Sequence, residues 1–364
     1  MSMAFLLLIA HCSLLIAHCQ LPAMPRVPLS EFQVLPYPLL DVRAPVEFAQ
    51  GHVPGALNLP LFSDEERAHI GTTYKQVSQE RAVHLGLEFF GPKMSAMVKL
   101  AQKLAPDKEV RLHCWRGGMR SGAVQWLLEL AGFRVHLLDH GYKDYRRAVL
   151  ASFAQPRAWR VLSGLTGSGK TDVLHALQAA PHHQPVLDLE GLANHKGSAF
   201  GAIGQPAQPT QEQFENNLAA ARAGLPAAAA GWVEDESRQI GRLTIPPALF
   251  EQLRVAPRWV LSAPRAVRVT KLAAEYGAQA PAELAAAIER LSKRLGGLAT
   301  SQALAAVEAG DFERMVELVL DYYDKTYAYG LAQRSGEAAY TQVPTDTCDP
   351  AANAAALQQL LSHA

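Results

Sequence analysis

The chain is poor in cysteine: Cys12, Cys19, Cys114 and Cys348 are its only four in 364 residues, and none forms a C-x-x-C pair. That usage argues against a disulfide framework and a structural zinc site, and points to a reducing, cytoplasmic compartment. Neither sign of charge is in excess. Lys plus Arg number 34 and Asp plus Glu number 34, a formal net charge of zero. No global field advertises a nucleic-acid partner, so an RNA contact must be a local patch. Long apolar runs are scarce too. The longest, Ala4 to Ala17, has no basic segment before it and no small-x-small cleavage site after it, and is too short to span a bilayer comfortably. Leu-Leu-Ile-Ala-His-Cys occurs there twice, at 7–12 and 14–19. Residues 1–25 are therefore read as an apolar leader outside the fold, with Met24 as an alternative start, and no membrane partner is expected. The chain as a whole is 49% hydrophobic and 19% charged, ordinary globular material whose length suits two domains.

What is present centres first on Val110-Arg111-Leu112-His113-Cys114-Trp115-Arg116-Gly117-Gly118-Met119-Arg120-Ser121. It reads as a strand, a glycine-rich loop and a helix running from Met119 to a stop at Gly132. Cys114 then stands at the mouth of a helix, facing unpaired N–H groups and the positive end of the helix dipole. Arg116 and Arg120 add positive charge, and all these effects favour the nucleophilic thiolate. The paired glycines let the loop amides point inward as a nest for an oxyanion. A small buried hydrophobe is the bland alternative for a lone cysteine, but Gly-Gly and two arginines make a poor core.

Around this loop, short strands (Pro38 to Val42, Ala56 to Pro60, Arg134 to Leu138) alternate with helices (from Pro45, from Asp64, and over 92–105). That alternation implies an α/β domain with a mainly parallel sheet and a site at the carboxyl ends of its strands. Asp41-Val42-Arg43, Gly51-His52-Val53-Pro54-Gly55-Ala56 and the Cys114 loop resemble a rhodanese domain. The resemblance implies a chalcogen carried on Cys114. The spacing from Cys114 to Arg120 is C-x5-R, matching the longer loop of rhodanese-like phosphatases. The loop alone thus leaves a chalcogen carrier and a phosphatase both open, with Asp139 and Asp144 available as a general acid. Asp41 and Arg43 are read as bracing the fold.

The second motif is Gly164-Leu165-Thr166-Gly167-Ser168-Gly169-Lys170-Thr171, a complete G-x-x-x-x-G-K-T phosphate loop between a strand (159–163) and a helix (from Asp172). Its amides would wrap a diphosphate, Lys170 would neutralise it, and Thr171 would hold Mg²⁺ where a metal is present. Gly164, Gly167, Ser168, Gly169, Lys170 and Thr171 are the expected phosphate-binding set. Val186 to Glu190 and Trp232 to Ser237 each end an apolar strand in acid, making Asp188, Glu234 and Asp235 candidates for a metal-side carboxylate. Arg238, Arg242 and Arg294 are candidate anion contacts. Arg254, Arg258, Arg265, Arg268 and Lys271 form a basic run that reads either as a solvated helix face or as a phosphate-backbone contact. Helices are expected over 283–295, 312–329 and 350–364. The tyrosines at 322, 323, 327 and 329 suit either a core stripe or base stacking, and the core is favoured.

The pairing of a rhodanese-like domain with a phosphate-loop domain resembles the tRNA 2-selenouridine synthase family. The likeness runs from about residue 28 to 330. It rests also on Asp64-Glu65-Glu66-Arg67, Thr73-Tyr74-Lys75, Asp188 to Ser198, Glu234 to Arg238, Arg294 to Gly297 and Tyr322-Tyr323-Asp324. The leader departs from the family pattern. The expected architecture is α/β: the leader over 1–25, a rhodanese-like parallel-sheet domain over 26–152, and a P-loop NTPase-like domain with a helical C-terminal region over 153–364. The resemblance implies a tRNA substrate carrying wobble 2-thiouridine, whose sulfur is replaced by selenium after S-geranylation. Geranyl diphosphate and selenophosphate are the implied co-substrates, with no tightly bound cofactor. Cys114 would carry selenium as an S-selanyl intermediate, Arg116 and Arg120 would hold the phosphate, and the phosphate loop would hold the geranyl diphosphate. A plain sulfurtransferase with a nucleotide-binding domain, a kinase or ATPase, and a non-catalytic RNA-binding module are the competing readings.

Overall fold

The computed structural model describes residues 26–180, 183–334 and 340–362, and side chains at 328–334 are outside that description. The leader read over 1–25, with Cys12 and Cys19, and the Tyr329 side chain lie outside it. The chain divides into two compact units, Met1–Arg147 and Ala148–Ala364. The division falls inside the helix Gly141–Ser152.

In the first unit, β1 (Arg26–Val27), β2 (Leu39–Asp41), β3 (Leu57–Asn58), β4 (Glu109–His113) and β5 (Arg134–Leu138) form one parallel sheet in the order β1-β5-β4-β2-β3. Val110 and Leu112 of β4, Val135 and Leu137 of β5, and Leu40 of β2 are buried with Val124, Leu127 and Leu128 from the helix Met119–Leu130. Burying such side chains stabilises the unit by about 1.5–3 kcal/mol each. The helix Asp64–Gln76 starts with a capping box: Ser63 Oγ accepts from Glu66 N (3.2 Å) and Glu66 returns a carboxylate to Ser63 N (2.8 Å).

In the second unit, β6 (Trp159–Gly164), β7 (Val186–Leu187), β8 (Gly231–Glu234), β11 (Arg258–Ser262) and β12 (Tyr340–Pro344) form a parallel sheet in the order β12-β11-β6-β8-β7. A two-stranded antiparallel ribbon, β9 (Gln239–Ile240) and β10 (Leu243–Thr244), stands apart from it. Strand β6 is central, so the loop that leaves it is flanked by β8 and β11. Trp232 and Trp259 meet edge-on at 5.0 Å beneath Val173, Leu174 and Leu177 of the helix Lys170–Ala179. A second core joins the helices Arg265–Gly277, Pro281–Leu295, Gly297–Glu308 and Phe312–Arg334 through Leu272, Leu284, Ile288, Ala303, Met315 and Leu320. Tyr322 and Tyr323 pack against it, as a core stripe rather than a stacking platform.

Candidate active sites

In the first unit Cys114 follows β4 directly and is 3% exposed. Its loop is pinned from the far side. Tyr142 N donates to Cys114 O and Lys143 N to Trp115 O, both at 2.9 Å, so the first amides of the helix Gly141–Ser152 are spent holding the loop. Gly141, at φ +63°, allows this approach: a Cβ there would stand 2.6 Å from Gly117 N and 2.9 Å from Arg116 N. Below lies a buried ionic brace. The Arg43 guanidinium clasps Asp41 through Nε (2.9 Å) and Nη2 (2.6 Å), reaches Gly51 O at 2.7 Å, and lies 3.7 Å from the centre of the Tyr142 ring. His113, fully buried, comes within 3.8 Å of Asp41, and burial outweighs that carboxylate and holds its imidazole neutral.

Cys114 Sγ lies 3.1 Å from Ser121 Oγ. Burial pushes the thiol up. The Ser121 hydroxyl, the backbone N–H groups of Arg116 and Ser121, and the Arg120 charge outweigh it, so the net direction is below the ordinary thiol value. The two arginines fare differently. Arg116 is exposed on the loop. Arg120 is drawn to Glu47, with Nη1 at 2.6 Å and Nη2 at 3.4 Å from its carboxylate, and Arg67 approaches the same group at 3.5 Å. An anion here would compete with Glu47 for Arg120. Neither Ser121 nor Glu47 had been assigned a role from sequence. Glu47 lies 73 residues from Arg120, so no local spacing betrays it. Asp139 pairs with Arg26 (3.5 Å) and Asp144 with Arg147, which leaves neither as a poised general acid.

In the second unit a cavity of about 530 Å³ opens over the phosphate loop, lined by Gly164, Gly167, Gly169, Lys170 and Thr171 among others. Gly167 and Gly169 adopt φ +84° and +78°, the left-handed conformations that turn amides inward. Lys170 Nζ rests on Gly164 O at 3.1 Å. Ser168 is fully buried, does not line the cavity, and donates its amide to Leu165 O at 3.1 Å. The carboxylates also sort differently from the sequence reading. Glu234 is buried off the cavity, where its Oε2 accepts from Leu189 N (3.2 Å), and burial with Asp188 and Glu190 nearby raises it far above the usual range. Asp188 lines the cavity but caps the helix Leu189–Ala193, accepting from Gly191 N at 2.6 Å, and meets His175 at 2.9 Å. Asp235 lines the cavity and accepts from Ser163 Oγ. Arg238 is exposed and outside the cavity.

The pair that faces the phosphate loop is Glu190 and Glu236, the latter two residues past the strand-end acid picked from sequence. Glu190 Oε2 accepts from Thr171 Oγ1 at 2.6 Å. Burial and the Glu190 charge push Glu236 up to about 8, against the pull of Lys170, so it is a neutral acid hydrogen-bonded to Glu190 at pH 7. Apolar side chains continue the wall: Phe200, Ile203, Leu272, Tyr276 and Tyr323.

The basic run divides: Arg258 and Arg268 are buried, whereas Arg254 and Arg265 are exposed. Arg268 binds Asp324 at 2.8 and 2.9 Å and Thr166 O of the phosphate loop at 3.1 Å. Arg265 pairs with Asp321 (2.6 Å), and Lys271 with Asp172 (2.7 Å) and Glu275 (2.6 Å). Arg258 is buried and donates to Arg254 O at 2.9 Å. The neutralising acids come mainly from other helices, so a stretch without acid in sequence is paired in space. Arg294 bonds the Tyr322 hydroxyl (3.2 Å) and Arg242 the Gln208 carbonyl, and neither lines the cavity. Among the described residues no cluster of three or more His, Cys, Asp or Glu is arranged for a metal ion, and no helix is long and apolar enough to cross a membrane.

Comparison with known proteins matches both units. Residues 29–148 fit the rhodanese-like domain, and residues 157–355 fit the tRNA 2-selenouridine synthase AAA domain. A protein of Marinobacter nauticus named tRNA 2-selenouridine synthase is 38% identical over 336 residues, covering 82% of this chain and 90% of the relative. Those of Chromohalobacter salexigens and Cupriavidus pinatubonensis, of the same name, are 36% and 37% identical, covering 85% and 83% of this chain and 92% and 91% of the relatives.

Proposed function

The chain belongs to the tRNA 2-selenouridine synthase family, a family of tRNA-modifying enzymes, and from that premise we propose that it exchanges sulfur for selenium in wobble 2-thiouridine by way of an S-geranyl intermediate. The observation that carries the reading is the cavity of the second unit, lined both by the phosphate loop and Lys170 for a diphosphate and by Leu272, Phe200 and Tyr276 for an isoprenoid tail.

In the first step the diphosphate of geranyl diphosphate lies against the loop amides and Lys170. The thiocarbonyl sulfur attacks the allylic carbon, a C–S bond forms, the C–O bond to diphosphate breaks, and N3 of the base gives up its proton. Alkylation turns a poor leaving group into a neutral thiol. Where Mg²⁺ accompanies the diphosphate, Thr171 and Glu190 are the groups that would hold it and offset phosphate charge. In the second step the Cys114 thiolate, favoured by Ser121 and the loop amides, attacks the phosphorus of selenophosphate: an S–P bond forms as the Se–P bond breaks, the freed selenide goes to C2 of the geranylated base, and water takes the phosphoryl group from Cys114 as phosphate. Arg116 and the amides receive the phosphate, and Arg120 joins them by exchanging Glu47 for the anion. Geranyl thiol departs from C2 as selenium enters.

Nucleoside mass spectrometry on thiolated tRNA tests the scheme, with geranyl diphosphate, selenophosphate, both or neither, and Cys114→Ala beside the unaltered protein. The expected result is selenouridine from the unaltered protein with both co-substrates, and accumulation of the geranylated base in Cys114→Ala. Absence of any modified base, with cyanide-dependent sulfur transfer or ATP hydrolysis instead, would overturn it.

A further inference from the structure

The cavity beside the phosphate loop has a direction. Along the helix Arg265–Gly277, residues 268, 272 and 276 follow one face at intervals of four. Arg268 is bonded to the loop itself, at Thr166 O (3.1 Å). Leu272 abuts Gly167, where an added Cβ would stand 2.7 Å from its Cδ1. Tyr276, one turn further and about 6 Å along the axis, stacks against Phe200 with ring centroids 5.2 Å apart and planes 29° from parallel. Leu272, Phe200, Tyr276 and Ile203 all line the cavity.

The aromatic end is rigidly backed. Phe200 is 2% exposed and belongs to the helical core with Leu272, Leu284 and Met315. Its segment is tethered twice: Ala199 N donates to the Tyr323 hydroxyl at 2.9 Å, and Arg290 donates to Ala199 O at 3.1 Å. A wall braced by a packed core does not yield to a longer ligand without a cost in repacking.

We infer that the Phe200–Tyr276 stack, with Ile203 beside it, is the stop that sets the length of the prenyl donor. The inference rests on the reading of the cavity as a prenyl diphosphate site. An isoprene unit extended along the wall covers about one helical turn. With the diphosphate on the loop, the first unit passes Leu272 and the second meets the stack. A third unit would have to displace the stack. The stack is thus a specificity-determining element, distinct from the groups that hold the diphosphate.

The test offers dimethylallyl, geranyl and farnesyl diphosphates together, at equal concentration, to the full-length protein with thiolated tRNA, and reads the S-prenyl nucleosides by mass spectrometry. The unaltered protein should give mainly the geranyl product. Tyr276→Ala and Phe200→Ala should raise the farnesyl-to-geranyl ratio about ten-fold or more, since an apolar pocket discriminates by roughly that factor per small apolar increment. Ile203→Phe should move the preference the other way, toward dimethylallyl. Binding of inorganic diphosphate should stay unchanged in all three, showing an intact phosphate loop. Phe200 is part of the core, so the partly exposed Tyr276 and Ile203 positions carry the test if Phe200→Ala does not fold. Tyr276→Ala and Ile203→Phe proteins that bind diphosphate normally yet keep the original product ratios would overturn the inference alone. If the unaltered protein attaches no prenyl group of any length, the prenyl reading fails first and the inference with it.

Discussion

Replacing Ser121 by alanine isolates the device that prepares Cys114. The hydroxyl lies 3.1 Å from a sulfur that is only 3% exposed, so water does not replace it. A hydrogen bond to a charged group contributes about 1.5–3 kcal/mol. At about 1.4 kcal/mol per pKa unit, its loss should raise the Cys114 thiol by about one to two units. Burial, which pushes the thiol up, remains in the variant, so the thiol moves upward. The fold should survive. The other partner of the hydroxyl is Gly118 O (3.2 Å), on an exposed residue where water can donate instead. The assay is pulsed alkylation with iodoacetamide across the thiol titration range. Peptide mass spectrometry keeps Cys12, Cys19 and Cys348 out of the signal. Arg120→Gln serves as the comparison and should shift the midpoint less, because Glu47 already offsets that charge. An unchanged midpoint in Ser121→Ala, or a larger shift in Arg120→Gln, would refute the assignment of the hydroxyl as the main stabiliser of the thiolate.

Three further outcomes follow from the same geometry. Glu47→Gln should release Arg120 toward the loop, lowering the Cys114 alkylation midpoint and tightening phosphate binding at the loop by calorimetry. Glu236 is raised to about 8, so above that pH it ionises beside Glu190; diphosphate affinity should fall as pH rises through about 8, and Glu236→Gln should flatten the profile. Stability has the same sign: unfolded, this carboxyl ionises near 4.5 while the folded one stays protonated, so its contribution falls as pH rises between those values. Arg268→Ala leaves Asp324 only the longer contact to Arg265 (3.5 Å) and unties Thr166. It should cost about 3 kcal/mol in denaturant unfolding, the low end for a buried pair because Asp324 is partly exposed, and should weaken diphosphate binding.

The sequence by itself determined whatever is local. Each functional loop is a strand, a turn and a helix in immediate succession, and the glycines, the cysteine and the Lys-Thr pair sit within that span. Period-two burial in β4 and β5 and the glycine signature of the phosphate loop therefore announced both α/β units and their reactive ends. What only the tertiary structure decided is how charge is neutralised. Glu47 reaches Arg120 across 73 residues, Asp324 reaches Arg268 across 56, and Asp235 reaches Ser163 across 72. A side chain's partner is set by which strands and helices become neighbours, and no spacing in the chain records that. For the same reason Glu234 and Ser168, well placed in sequence, turned inward, whereas Glu190 and Glu236 came to face the phosphate loop. The apolar wall is the clearest case. Phe200 lies in a loop and Tyr276 on a helix 76 residues later, and only packing against a shared core brings their rings to 5.2 Å.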